Sequence, residues 1–343
     1  MLRILSIVIV NCPMDLLLTT LRTGDPLAQA EAARLLGEAS ALEAIPALLE
    51  YVEGCQQFHK SAGFTALGRM GDSSVCDRVY ALMEDARMRD DWYWFGWRSV
   101  RAAAAHALLM LGDDRGTVFL KEIAEKEDDV FYAWFAPAIL RLEVNTRGLA
   151  DLKDYLTVER LLSVPENSTR LTDPSRLTAV IEALGEIGGK EAASKAAEFI
   201  EHSSRFVRGQ VAISTIQASG TNEFTSFVEK MSREDPTDFA RARAAFALKD
   251  ADFLELLVQG SEDSFARAVA LEGLGLLGAS GKAPCALRAV DDPDTYVRQC
   301  ALEALERINA PEAAAAARDR LSDEALNVRC QAEKTLIVME RSD

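Results

Sequence analysis

The sequence predicts an all-α fold: an α-solenoid in which about ten helix pairs stack into a superhelix. Two observations predict it. First, a phrase recurs along the chain: Arg, a small residue three positions on, and Leu four further on. Its cleanest copies are Val100-Arg101-Ala104-Leu108-Leu111-Gly112, Ala266-Arg267-Ala270-Leu274-Leu277-Gly278, Val297-Arg298-Ala301-Leu305-Ile308 and Val328-Arg329-Ala332-Leu336-Met339. Taken as a landmark, the last position of the phrase falls at Leu36, Leu67, Leu108, Ile139, Leu184, Thr215, Leu248, Leu274, Leu305 and Leu336. The steps are 31, 41, 31, 45, 31, 33, 26, 31 and 31 residues. The recurring step of 31 is a true period, and self-similarity at such a period marks stacked repeats. Second, Ala, Leu, Glu and Arg dominate, and apolar residues return at three- and four-residue steps, as in Ala301, Leu302, Leu305 and Ile308. No alternating strand pattern of useful length is present.

Each element of the unit has a physical reason. A 31-residue step holds two helices of roughly a dozen residues each and two turns. Turn signals separate the helices at Asp235-Pro236, Gly278-Ala279-Ser280-Gly281 and Asp291-Asp292-Pro293-Asp294. The small residue lets neighbouring helices approach closely, and the Leu fills the layer between repeats. No unit buries its apolar face alone, so stability comes from stacking. The Arg position is expected to be structural, bonding a turn carbonyl or an Asp of a neighbouring repeat. It is Gln29, Lys60, Tyr132 and Leu177 in four units. Residues 1–13 read as an apolar extension or cap, and 14–343 as a single solenoid with insertions near 83–97 and 144–173.

Composition narrows the function. Hydrophobic residues make up 49% of the chain, enough for a continuous core, and the net charge of -16 argues against nucleic acid and against an anionic membrane. The apolar run Ile4–Val10 is too short to span a bilayer. Six cysteines show no CxxC spacing, which fits a reducing cytoplasm. His59, His106 and His202 are not followed by Glu and form no HExxH, so no metal site is expected. Phosphate loops and nucleophile elbows are missing too.

Chemistry concentrates where the period breaks. The 41-residue step holds Trp92, Tyr93, Trp94, Phe95 and Trp97 among Arg87, Arg89, Arg98, Arg101, Asp85, Asp90 and Asp91. The next repeat opens with Phe131, Tyr132, Trp134 and Phe135. Aromatics at helical spacing are usually core. Five aromatics in six residues cannot all face inward on one helix, so some are exposed or line a cavity, and an exposed aromatic patch usually marks a binding site. The 45-residue step reads as an extra helix near Leu149 to Leu162 and a polar loop, either a disordered surface excursion or a flap over one end of the groove. A ligand is expected beside Asp90–Arg101 and Phe131–Phe135, not along the regular C-terminal repeats.

These features resemble the HEAT-like repeats of the E/F-type phycobilin lyases. Asp292 or Asp294 ahead of Arg298, and Asp263 ahead of Arg267, resemble that family's Asp–Arg ladder. The likeness is to the E subunit: one insertion precedes a repeat like Arg98 to Asp113, a second one like Ala179 to Gly188, and Phe199 to Arg208 is similar. It covers the architecture over about residues 25–340 and is specific at the two insertions. The resemblance implies a groove that binds an open-chain tetrapyrrole as substrate and helps attach it to a cysteine of a phycobiliprotein acceptor. Bond isomerisation is an optional further step, and a second HEAT-like lyase subunit an optional partner. No cofactor is required. Trp92, Trp94, Trp97, Tyr132 and Trp134 would stack on the bilin. Arg87, Arg89, Arg98 and Arg101 would hold its propionates. Asp90 or Asp91 would hold its pyrrole N–H groups, and Asp90, Asp91 or Tyr93 would move protons. The alternative is a non-catalytic scaffold that binds a protein partner along the groove.

Overall fold

The computed structural model describes residues 14–24, 26–54, 57–85, 97–125, 136–143, 146–162, 174–219 and 224–340. The regular structure of these residues is all helical, with no strand among them. The chain divides into two compact units, Met1–Arg160 and Leu161–Asp343. The predicted 1–13 extension, the core of the first insertion at 86–96 and the segment 163–173 lie outside the described residues.

The N-terminal unit contains α1 (Met14–Thr23), α2 (Pro26–Glu38), α3 (Ile45–Gly54), α4 (Gln57–Met70), α5 (Cys76–Glu84), α6 (Trp97–Met110), α7 (Arg115–Glu125), α8 (Ala136–Arg141) and α9 (Arg147–Tyr155), and α10 (Val158–Leu162) spans the boundary. The phrase-bearing helices pack directly on one another, α2 on α4 and α4 on α6, while α3, α5 and α7 form a second layer against them. The predicted extra helix over 149–162 divides in two. By its distance from the Ile139 landmark, α9 is the ordinary second helix of that repeat, so only α10 is added. Thr157 starts α10 afresh, its Oγ1 accepting from Arg160 N at 3.2 Å.

The C-terminal unit continues with α11 (Pro174–Ile187), α12 (Gly189–Ala197), α13 (Arg205–Ser219), α14 (Thr225–Glu234), α15 (Asp238–Ala247), α16 (Ala251–Gly260), α17 (Ser264–Leu276), α18 (Ala283–Ala289), α19 (Thr295–Ile308), α20 (Ala313–Arg320) and α21 (Leu326–Glu340). Helices α11, α13, α15, α17, α19 and α21 carry the phrase and stack on one another. Helices α12, α14, α16, α18 and α20 back them as the second layer.

The landmark residues sit where the period places them. Leu36, Leu67, Leu108, Ile139, Leu184, Leu274 and Leu305 are fully buried. In several repeats a Gly follows the landmark and presses on a small residue of the next helix. A Cβ on Gly37 would lie 2.6 Å from Ala66 Cα, and one on Gly275 3.0 Å from Ala304 Cα. These glycines set the close spacing of the layer. Thr215 occupies the landmark position in α13, fully buried, and its hydroxyl has no partner among the described residues. Thr215→Val keeps the shape and removes a stranded polar group, so thermal unfolding should show a gain of about 1 kcal/mol. A lower melting temperature would contradict that reading.

Candidate functional site

Most of the predicted site falls outside the described residues: Arg87, Arg89, Asp90, Asp91, Trp92, Tyr93, Trp94, Tyr132 and Trp134. Trp97 and Arg98 open α6, but their side chains also lie outside the description. Arg101 is described. It donates through Nη2 to Glu84 at the end of α5, and its guanidinium lies 4.3 Å from the Phe119 ring centroid. It is therefore anchored from both sides at the base of the first insertion. Its Nε is buried with no hydrogen-bond partner among the described residues.

The ladder is built in the C-terminal unit, with its register two residues from part of the sequence expectation. Arg208 forks onto Asp235 (Nε–Oδ2 2.7 Å, Nη2–Oδ1 3.0 Å), Arg267 onto Asp292 (both 2.9 Å) and Arg298 onto Asp323 (2.9 and 2.8 Å). Each guanidinium also ties down its own turn. Arg208 Nη1 donates to the His202 and Ser203 carbonyls, and Arg298 Nη1 to those of Asp292 and Pro293. The Asp side chain accepts in addition from the backbone N–H two residues on, as Asp292 does from Asp294 N at 2.9 Å. Asp292 is thus the ladder carboxylate, and Asp294 is the N-cap of α19, accepting from Tyr296 N and Val297 N. Asp263, expected in the ladder, instead caps α17 and pairs with Arg205.

One rung is missing. Ser261 stands where the other turns have Asp, and its Oγ accepts from Asp263 N at 3.2 Å in the same way. A hydroxyl cannot receive a guanidinium fork. Arg241 turns to Asp238 on its own helix at 2.9 Å, and Ser261 Oγ donates to the other oxygen of Asp238 at 2.7 Å. At the start of the ladder His202 holds the Asp position, its Nδ1 accepting from Ser204 N at 3.0 Å. Leu177 replaces the arginine that would have faced it. A cavity of about 410 Å³ opens there, lined by His202, Arg208, Phe227, Lys230 and Asp235 among others.

The sequence reading missed a row of aromatics. Phe206, Phe239, Phe265 and Tyr296 each stand two residues before a phrase arginine, at the first turns of α13, α15, α17 and α19. That register was the available signal. Phe206, Phe265 and Tyr296 are 47%, 51% and 44% exposed, while Phe239 is nearly buried. The Phe206 and Phe239 centroids lie 4.9 Å apart edge to face, and those of Phe265 and Tyr296 6.1 Å apart. The Arg205 guanidinium lies 5.1, 5.3 and 5.7 Å from the centroids of Phe206, Phe239 and Phe265. Four rings and one cation thus form a single stripe across four repeats.

Titratable groups in the described residues divide by role. Burial works to raise Asp235, but the Arg208 fork and the Thr237 donors outweigh it and leave it below the usual carboxylate value. The Arg298 fork holds Asp323 low. Burial, with Glu303 and Glu272 adding, pushes the Cys300 thiol up to about 12, which makes it a core thiol and not a nucleophile. Cys76 and Cys285 are buried as well. Among the described residues no group of three or more His, Cys, Asp or Glu could hold a metal ion, and no helix is long and apolar enough to cross a membrane.

Residues 251–337 match a family model for HEAT repeats. The match runs from α16 into α21 and contains the Arg267 and Arg298 rungs. No curated protein matches the chain by sequence. Similar solved structures include the complex of CpcE and CpcF of phycocyanin lyase from Nostoc sp. PCC7120, at 19% identity over 97% of this chain and 96% of that one, TM-score 0.32. Human deoxyhypusine hydroxylase in complex with glycerol is another, at 20% identity over 86% of this chain and 96% of that one, TM-score 0.32. Likenesses of this degree carry no argument about function.

Proposed function

We propose that this chain binds an open-chain tetrapyrrole and helps attach it to a cysteine of a phycobiliprotein acceptor. The observation that carries the reading is the concentration of Trp, Tyr, Arg and Asp at 85–101, ahead of an α6 whose Arg101 is anchored on Glu84 and Phe119. In this reading Trp92, Trp94, Trp97, Tyr132 and Trp134 stack on the bilin, Arg87, Arg89, Arg98 and Arg101 meet its propionates, and Asp90 or Asp91 accepts from its pyrrole N–H groups. The acceptor supplies the attacking thiol, so the chain needs no nucleophile of its own. Its contribution is orientation and shielding, with Asp90, Asp91 or Tyr93 moving the proton. A second HEAT-like subunit would complete the groove where one is needed. Such a protein would work in the cytoplasm.

Co-expression with a bilin-producing pathway tests the reading. The purified protein should carry a visible chromophore that Trp94→Ala or Asp91→Ala removes. A colourless protein that takes up none of several added bilins, with or without a partner subunit, would refute it. A second reading, a non-catalytic scaffold, is favoured by the HEAT match over residues 251–337, because regular stacked repeats commonly grip proteins along their surface. It predicts a stable protein partner and no chromophore.

A further inference from the structure

Three features coincide at α15 in the C-terminal unit. First, it is the shortest of the phrase-bearing helices there, 10 residues against 13, 14 or 15 for the rest. A short helix offers its neighbours less surface to bury. Second, the rung that would tie it to α17 is missing. Arg208, Arg267 and Arg298 each fork onto the following turn. Arg241 keeps to its own repeat, donating to Ser232 O and Asp238 and lying 5.0 Å from the Phe253 ring centroid. At the rung position the hydrogen bond from Ser261 Oγ to Asp238 takes the place of a guanidinium fork. Third, the buried core divides at this helix. Ala240 and Ala244 pack with Ala212, Val228 and Met231, whereas Ala242 and Ala245 belong to a second cluster. That second cluster runs on unbroken through Leu274 and Leu305 to Ala332.

One ion pair spans the break. Arg205, at the first turn of α13, reaches past Phe239 of α15 to Asp263, the N-cap of α17. The two side chains are 30% and 26% exposed, so water and ions reach the pair. The guanidinium also covers the rings of Phe206, Phe239 and Phe265, which holds it extended along the stripe. Asp263 Oδ1 accepts from Phe265 N at 3.0 Å, so α17 stays capped without the arginine.

We propose that α15 is a hinge within the C-terminal unit and that the Arg205–Asp263 pair is its latch, shut in this structure. The Arg208–Asp235 and Arg267–Asp292 rungs stiffen the repeats on either side, which concentrates the motion at one place. Opening parts α13 from α17 around α15 and takes Phe265 away from the cation that covers it. An anion or a partner's carboxylate that displaces Asp263 from Arg205 opens the latch. The hinge belongs to this unit alone and is independent of the function proposed above.

Native-state hydrogen exchange of the full-length chain, resolved by peptide mass, tests the hinge. Opening uncovers α15, so its amides report the motion. In wild type the α15 and α16 amides should exchange faster than those of α13 and α19. Arg205→Gln should speed exchange in α15 and α16 roughly tenfold and leave α19 unchanged. Asp263→Asn, which keeps the cap, should do the same, and the double variant no more. Salt at about 1 M should speed wild type likewise and have little effect on Arg205→Gln. Ser261→Asp supplies the absent carboxylate, so it should slow exchange in α15 and α16 and abolish the effect of Arg205→Gln. Uniform protection from α13 to α19 in wild type overturns the hinge. Exchange that quickens evenly over α11 to α21 in Arg205→Gln makes the pair a general stabiliser and overturns the latch. A Ser261→Asp variant that is folded by its far-ultraviolet spectrum and leaves the Arg205→Gln effect in place also overturns the hinge, because the missing rung is then not its source.

Discussion

Arg208→Ala is expected to destabilise the C-terminal unit by about 3–5 kcal/mol, the cost of leaving a buried charge without its partner. The Asp235 side chain is 3% exposed, and Arg208 is the one cation paired with it among the described residues. Removing Arg208 also strands the His202 and Ser203 carbonyls. Arg329 is the control. It holds the carbonyls of Asp323 and Glu324 but forks onto no carboxylate among the described residues. Arg329→Ala should cost only about 1 kcal/mol. Arg208→Lys should fall between the two, since an ammonium restores the charge but not the two-pronged geometry. Urea unfolding of the three variants decides the matter. Equal costs for Arg208→Ala and Arg329→Ala would mean that the rungs contribute through their turn carbonyls alone.

How much of this was legible in the sequence can be argued from the rungs. The landmark leucines were readable because burial at one helical position repeats with the chain, and Leu36, Leu108, Leu274 and Leu305 are all fully buried. The ladder was half readable. In the turn before α19 the sequence offers Asp at two positions, and spacing cannot say which one accepts the guanidinium and which caps the helix. Asp292 and Asp294 show the division once the fork at 2.9 Å and the cap are seen together. Ser261 was invisible as a rung because it shares a backbone role with Asp235 and Asp292 but not their chemistry. The aromatic stripe was spelled out two residues before Arg208, Arg241, Arg267 and Arg298. It was overlooked because phenylalanines at helical spacing usually mean core, and only exposure separates Phe265 from Phe239. At the first insertion composition signals chemistry, but with the period broken no register says which aromatic faces which way.

His106 provides the second large effect, and it is a dependence on pH. The residue sits on α6 in the N-terminal unit, and burial, with the nearby Arg69 guanidinium adding, lowers its pKa to about 4 from the usual 6.5. The folded protein therefore keeps the ring neutral over a range in which the unfolded chain protonates it. Its contribution to stability is fully present above 6.5 and is lost as pH falls toward 4. The loss across that window is about 2–3 kcal/mol. The ladder carboxylates titrate in a different window. Asp235 and Asp323 are held below their ordinary 3.8, so their contribution persists above that value and disappears only at lower pH. Acid unfolding should thus show two stages, a histidine stage followed by a carboxylate stage. His106→Gln should flatten the first and leave the second in place. Stability profiles of wild type and His106→Gln that run parallel between pH 7 and pH 4 would show that the ring does not drive the first stage.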